Sequence, residues 1–260
     1  MTIEFEERER VAGEAFLRLS ATVDEFEGYT RPHASRVARL ADALAASFRL
    51  PRADRTALVF AALLHDVGEL AMKRDYIQSA GPLTQAERLD LQRHPIIGEQ
   101  EAARAGADRG TQLLVRWHHE WWNGCGYPDT LRGEEIPLEA RILRVADAYA
   151  ALTDARPFRP AGTEAEARKH LTLWAGLEFD PQVVRAFLAL QGLPELRSYA
   201  QAQTAASEAA SETPVKNDDT VKSGETGEAV APPTQPEAGA LVGAGGQGQE
   251  EIDNPWNPKR

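Results

Sequence analysis

Residues 57–66 read ALVFAALLHD: eight apolar side chains, Ala57 to Leu64, and then a histidine and an aspartate. Pro51 stands where a helix begins, and ADRT leads from it into the apolar run. A helix that is apolar on every side belongs inside a protein, so this segment is expected to be central and buried. It ends by delivering His65 and Asp66 into the interior. Burying two ionisable groups is costly unless they are paired or bound to a metal. One decapeptide therefore points to a helical core and to a polar site within it.

The flanking sequence reads as further helices. Residues 3–26 space Ile3, Phe5, Val11, Phe16, Leu19 and Val23 at roughly helical intervals, and Gly28 stops the run. Residues 33–48 put Val37, Leu40, Leu44 and Phe48 on one stripe. Residues 67–83, with Gly68, Gly81 and Pro82, read as a longer connection. Thr84 and Glu87 form a capping-box pattern opening a helix to about His94, where Pro95 marks a break or a new first turn. Residues 96–104, 110–121, 137–152, 163–175 and 181–191 complete the set. Strand-like alternation is nearly absent, so the expected fold class is all-α and bundle-like.

Composition divides the chain. Residues 1–28 are expected as an N-terminal helix packed on the domain, 29–195 as the domain itself, and 196–260 as an acidic low-complexity tail. Of the net charge of −11, residues 201–260 carry −6 with ten acidic and four basic side chains, leaving −5 for the rest. That segment holds almost no large apolar residues and cannot offset its ordering entropy, so disorder is expected. The acidic balance argues against nucleic-acid polymers and anionic membranes as partners. The lone Cys125 excludes an intrachain disulfide, and no stretch approaches the ~18 apolar residues of a membrane span. The opening MTIEFEERER lacks a signal pattern, so a cytoplasmic location is expected.

The six histidines are His33, His65, His94, His118, His119 and His170. Neutral imidazoles with a carboxylate are suitable ligands for iron, manganese or zinc. The adjacent pair His118–His119 is unusual, because neighbouring helical side chains diverge by about 100°. Both reach one site only if it lies against a helix end, and the following NGCG supplies such an end.

These residues resemble the HD-GYP phosphodiesterases of the HD superfamily of metal-dependent phosphohydrolases. YTRPHASRV, LLHDVGE, LTQAERLDLQRHPIIG, HHEWWNGCGYP and LRGEEIPLEARILRVADAYAALTDARPFR follow the family's motifs in order, and FDP at 179–181 also fits. The likeness covers about residues 16–192, and its most distinctive block is HHE with GYP. It implies a two-metal site, iron first with manganese as the alternative, held by His33, His65, Asp66, His94, His118, His119 and Asp147. Asp66 would bridge the metals, with His65 and Asp66 at the catalytic centre, while His170 stays outside every motif. Such a site would activate water to attack a phosphodiester. The implied substrate is a cyclic dinucleotide, mainly cyclic di-GMP, opened to pGpG and on to GMP in some members. Gly126 and Tyr127 would face substrate, and Arg156 and Arg159 its phosphates. Gly126, Tyr127 and Pro128 also suit a tight turn, and Trp117, Trp121 and Trp122 read mainly as packing.

Three positions depart from the family. Glu69 stands where Lys is common near the scissile phosphate, reversing its charge. It could point inward and repel the diester, turn to solvent, or approach a metal. Tyr29 stands where some members carry a glutamate associated with a third metal, and Asn123 replaces a usual Asp. Besides an active enzyme, two alternatives follow: a catalytically impaired signalling or binding module, and another HD-superfamily nucleotide phosphohydrolase. A diguanylate-cyclase-type protein or a second copy of the chain are the expected protein partners.

Overall fold

The computed structural model describes residues 2–79, 81–156, 159–198 and 201, with side chains from residue 7 onward. Its helices are α1 (Thr2–Phe26), α2 (His33–Ser47), α3 (Arg52–Leu64), α4 (Val67–Met72), α5 (Gln85–Leu91), α6 (His94–Arg104), α7 (Arg109–Trp117), α8 (Leu138–Thr153), α9 (Glu164–Leu173) and α10 (Pro181–Ala189). No strand occurs among the described residues; Arg156–Arg159 and Ala175–Phe179 make isolated bridges. The all-α expectation holds.

Local chemistry sets the helix starts. Thr84 and Glu87 close the anticipated capping box on α5, and Thr163 with Glu166 repeats it on α9. Asp108 and Asp180 cap α7 and α10 through their side chains. Gly28, at φ 79°, ends the α1 region in the left-handed conformation that glycine adopts most easily.

The core lies where α2, α3 and α8 meet, around Val37, Leu40, Leu44, Leu58, Leu64, Ile142, Leu143 and Tyr149. The run in α3 is central as expected, although Val59 and Phe60 are only half-buried; Phe60 meets Phe16 of α1 edge-on at 5.1 Å. The most enclosed helix is α8, buried almost throughout from Ala140 to Thr153. Helix α1 packs against α2, α3 and α4 through Phe16 and Val23, whereas Val11 is half exposed. The side chains of Ile3 and Phe5 lie outside the described residues.

Three boundaries differ from expectation. Residues 67–72, read as connection, form α4, and Gly68 is what allows it. A Cβ there would lie 2.1 Å from the His94 carbonyl oxygen, so only glycine lets α4 and α6 pack this closely. Helix α7 stops at Trp117 rather than 121, leaving His118 and His119 in the turn beyond it. The tail begins later than 196: Leu196 and Ser198 are buried, and the Arg197 carbonyl accepts a bond from Arg36 at 3.1 Å. The acidic segment from 202 onward lies outside the described residues.

Candidate metal centre

Six of the seven expected ligands sit at helix ends. His33 and His94 open α2 and α6, His65 and His118 follow the last residues of α3 and α7, Asp66 precedes α4, and His119 comes next to His118. Asp147 alone projects from mid-helix, on α8. Helix ends converge here because α2, α3, α6, α7 and α8 pack around one core. None of the seven exceeds 5% exposure.

They form two groups joined by Asp66. His94, His118 and His119 gather with Asp66 on one side; His33, His65 and Asp147 gather on the other. Asp66 Oδ1 lies 3.2 Å from His94 Nε2 and 3.5 Å from His118 Nε2, while its Oδ2 lies 3.2 Å from His65 Nε2. Asp147 Oδ1 lies 3.5 Å from His33 Nε2 and 3.8 Å from His65 Nε2. One carboxylate thus presents an oxygen to each group.

The tautomers follow from the hydrogen bonds. His65, His94 and His118 each donate Nδ1–H to the carbonyl three residues back, on Ala62 (2.8 Å), Leu91 (2.8 Å) and Val115 (2.6 Å). His33 instead donates Nδ1–H to Asp154 Oδ2 at 3.0 Å, and Arg36 donates to Asp154 Oδ1 at 2.6 Å. In all four Nε2 faces the cluster, the arrangement that outer carbonyls and carboxylates impose on metal-binding imidazoles. The buried Nε2 atoms of His33, His65 and His119 have no hydrogen-bond partner among the described residues.

Charge makes the same case. Glu27, Asp66, Glu69, Asp147, Asp154 and Glu178 are all at least 95% buried, against the buried guanidiniums Arg36, Arg144 and Arg156. Among the described residues the buried carboxylates outnumber the buried guanidiniums. Two divalent cations would offset that excess, so the donor set fits a binuclear site. Protonation differs between the groups. Burial pushes His65 down, but Asp66 and Asp147 outweigh it and raise it to about 10. Burial is likewise outweighed at His33, by Asp147 and Asp154. Burial keeps His118 and His119 low.

Glu69 does not turn to solvent. It is fully buried, its carboxylate 3.8 Å from His94 Nδ1, and it groups with Glu27 and Asp66. Tyr29 stacks on His33, with ring centroids 4.0 Å apart and planes 4° from parallel. It also lines a groove of about 390 Å³ between α1 and the start of α2.

The loop after His119 is held by Glu120, whose carboxylate accepts the N–H groups of Asp129 (2.6 Å) and Leu131 (3.0 Å). Gly126 leaves no room for a side chain, since a Cβ would lie 2.2 Å from Trp121 N. Tyr127 stacks on His119 at 4.9 Å. Arg156, expected at a phosphate, is instead 94% buried; it donates to Tyr29 Oη, lies 3.5 Å from Glu27, and sits over the Tyr29 ring. Arg159 is half-buried and donates to the Ala151 carbonyl. Trp117 donates to Asp129, Trp121 meets Trp174 edge-on, and Arg141 covers Trp122. His170 lies apart, stacked on Trp174. Sequence reading assigned no role to Arg36, Arg144, Asp154 or Glu178. Arg144 was the most legible of them, as a charge within an apolar helical run three residues before Asp147.

A family model described as HD domain matches residues 22–183. The chain belongs to the HD domain family. It is 38% identical over 188 residues to a cyclic di-GMP phosphodiesterase response regulator of Xanthomonas campestris pv. campestris, covering 71% of this chain and 49% of that protein. The chain thus spans about half the length of this relative. Among solved structures, the HD-domain fold matches a cyclic GMP-AMP specific phosphodiesterase of Vibrio cholerae with TM-score 0.56 and 20% identity, covering 74% of this chain and 52% of that one. A HDG"Y"P protein from Bdellovibrio bacteriovorus matches with TM-score 0.53 and 21% identity, covering 72% and 63%. No helix among the described residues is long and apolar enough to cross a membrane.

Proposed function

We propose that this HD-domain chain hydrolyses a cyclic dinucleotide, cyclic di-GMP first, to pGpG and onward to GMP, at a centre of two divalent cations. The observation that carries this reading is Asp66, whose two oxygens face two separate groups of buried imidazoles. Iron is the first candidate and manganese the second. Bound there, such cations supply positive charge against the phosphoryl oxygens and make an attacking water acidic near neutral pH.

The chain's own residues do the rest. His33, His65 and Asp147 form one set of ligands, His94, His118 and His119 the other, and Asp66 serves both. Gly126 lets the loop backbone pass close to His119, and Tyr127 offers its ring beside that histidine to the substrate. Arg159, the less buried of the two arginines, is the candidate for a phosphate contact. Arg156 acts from inside, neutralising Glu27 and backing Tyr29 against His33. The whole reaction is set in the cytoplasm, with a diguanylate-cyclase-type protein or a second copy as partner.

Glu69 favours a second reading, a signalling module that binds without turnover. Its buried carboxylate adds a negative charge beside Asp66, where an anionic diester must approach. Anaerobically iron-loaded and manganese-loaded protein, assayed on cyclic di-GMP, 3',3'-cGAMP and a model phosphodiester, separates the two. Turnover of a cyclic dinucleotide supports the enzyme. Retained cations with cyclic di-GMP binding but no turnover support the module, and Glu69→Lys should then restore hydrolysis. Protein that stays folded and holds neither metal defeats both. Turnover of mononucleotides alone would assign another HD-superfamily activity.

A further inference from the structure

Two buried charges outside the proposed ligand set stand behind Asp147. Arg144 lies one turn earlier on α8, is 5% exposed, and donates Nη1 to Asp147 Oδ2 at 2.9 Å. Its Nη2 donates to Glu178, 2% exposed, in the segment between α9 and α10. The surrounding Ile142, Leu143, Val145 and Ala146 are fully buried and apolar. For packing alone an aliphatic side chain would cost less here, since a buried ion pair is often no more stable than apolar residues of similar volume. The arginine therefore answers to the site.

Its effect is geometric. A carboxylate turns about its Cβ–Cγ bond unless something holds one oxygen. Arg144 takes Oδ2, which leaves Oδ1 toward His33 and His65 at 3.5 and 3.8 Å. Glu178 in turn holds Arg144. The same segment anchors the loop carrying Tyr127, because the Glu178 and Leu177 carbonyls accept the N–H groups of Trp122 (3.1 Å) and Asn123 (2.9 Å). In the opposite group His94 and His118 are anchored on the carbonyls of their own chain turns.

We propose that Arg144, held by Glu178, is a positioning residue that keeps Asp147 Oδ1 aimed at His33 and His65 and so sets the cation affinity of that half of the centre alone. This rests on reading the cluster as a cation centre. The test is manganese titration of the full chain, read by bound metal per chain and by the spin-coupled signal of a manganese pair. Arg144→Gln should keep the first manganese within about twofold and weaken the second by about 10–100-fold, the usual cost of losing an outer partner of a metal ligand. The pair signal should disappear at concentrations that fill the native protein. Arg144→Lys, which keeps the charge and one donor, should recover part of the loss.

Arg144→Gln takes a cationic partner from Glu178, so the double variant Arg144→Met/Glu178→Met, with folding checked by circular dichroism, removes both charges and should show the same selective loss. A folded variant that binds both manganese ions like the native chain overturns the proposal, as does equal weakening of both. Native protein that binds neither manganese nor iron overturns the cation reading itself, and this proposal with it.

Discussion

The two halves of the cluster hold their ligands by different means. His94 and His118 of one half, and His65 of the other, donate Nδ1–H to carbonyls three residues back. Any helix that begins or ends on such a histidine can build that contact locally. His33 and Asp147 depend on side-chain charges instead, one of each pair distant in sequence: Asp154 with Arg36 for the first, Glu178 with Arg144 for the second. Protonation follows the same division, with His33 and His65 raised by acidic neighbours and His118 and His119 lowered by burial. A local anchor gives a half-site whose shape comes with the helices. A long-range anchor ties the other half-site to how the segments after α8 are packed.

The largest effect should come from the residue both halves share. Asp66→Ala should lose both cations on desalting and reduce turnover by on the order of a thousandfold; one cation retained at full affinity would break the bridging role. His118→Ala and His33→Ala come next. Each should leave one manganese per chain by elemental analysis, and simultaneous loss of both would show that the halves are not separable. Asp154→Asn should weaken only the His33 half, by about 10–100-fold, in a manganese titration; an effect on both halves would blur the comparison.

The smallest expected effect is the dependence on pH. Asp66 and Asp147 raise His65 to about 10, so near neutrality an incoming cation must displace its proton. Affinity of that half should rise with pH, by about tenfold per unit for each proton released. His118 and His119, already neutral, should make the opposite half nearly flat above about pH 7. Equal slopes in a two-site titration would remove the distinction.

Much of this was readable from the residues. The apolar run before His65 required a buried helix, and the cap at Thr84 marks a real helix start. The ordered motifs brought forward seven side chains that the fold does gather. Helix α4 was hidden because Gly68 reads as a breaker in isolation and becomes a requirement only when α6 lies against it. Arg156 reads as a free phosphate-binding cation until Tyr29 and Glu27 are seen to enclose it. Glu69 had three possible directions, and its complete burial beside Asp66 excludes solvent.

The amino-acid order alone determined the helices other than α4 and the deep placement of His65 and Asp66, while its family motifs pointed to the residues available to hold cations. The first two depend on periodicity, capping and the cost of burying charge, which act over one or two turns. Tertiary structure alone decided that Asp66 splits its oxygens between two groups, and that Asp154 and Glu178 stand behind one of them. Those partners lie 121 and 31 residues from the ligands they support. Whether an oxygen faces one imidazole or another is settled by how whole helices pack, which no local pattern encodes.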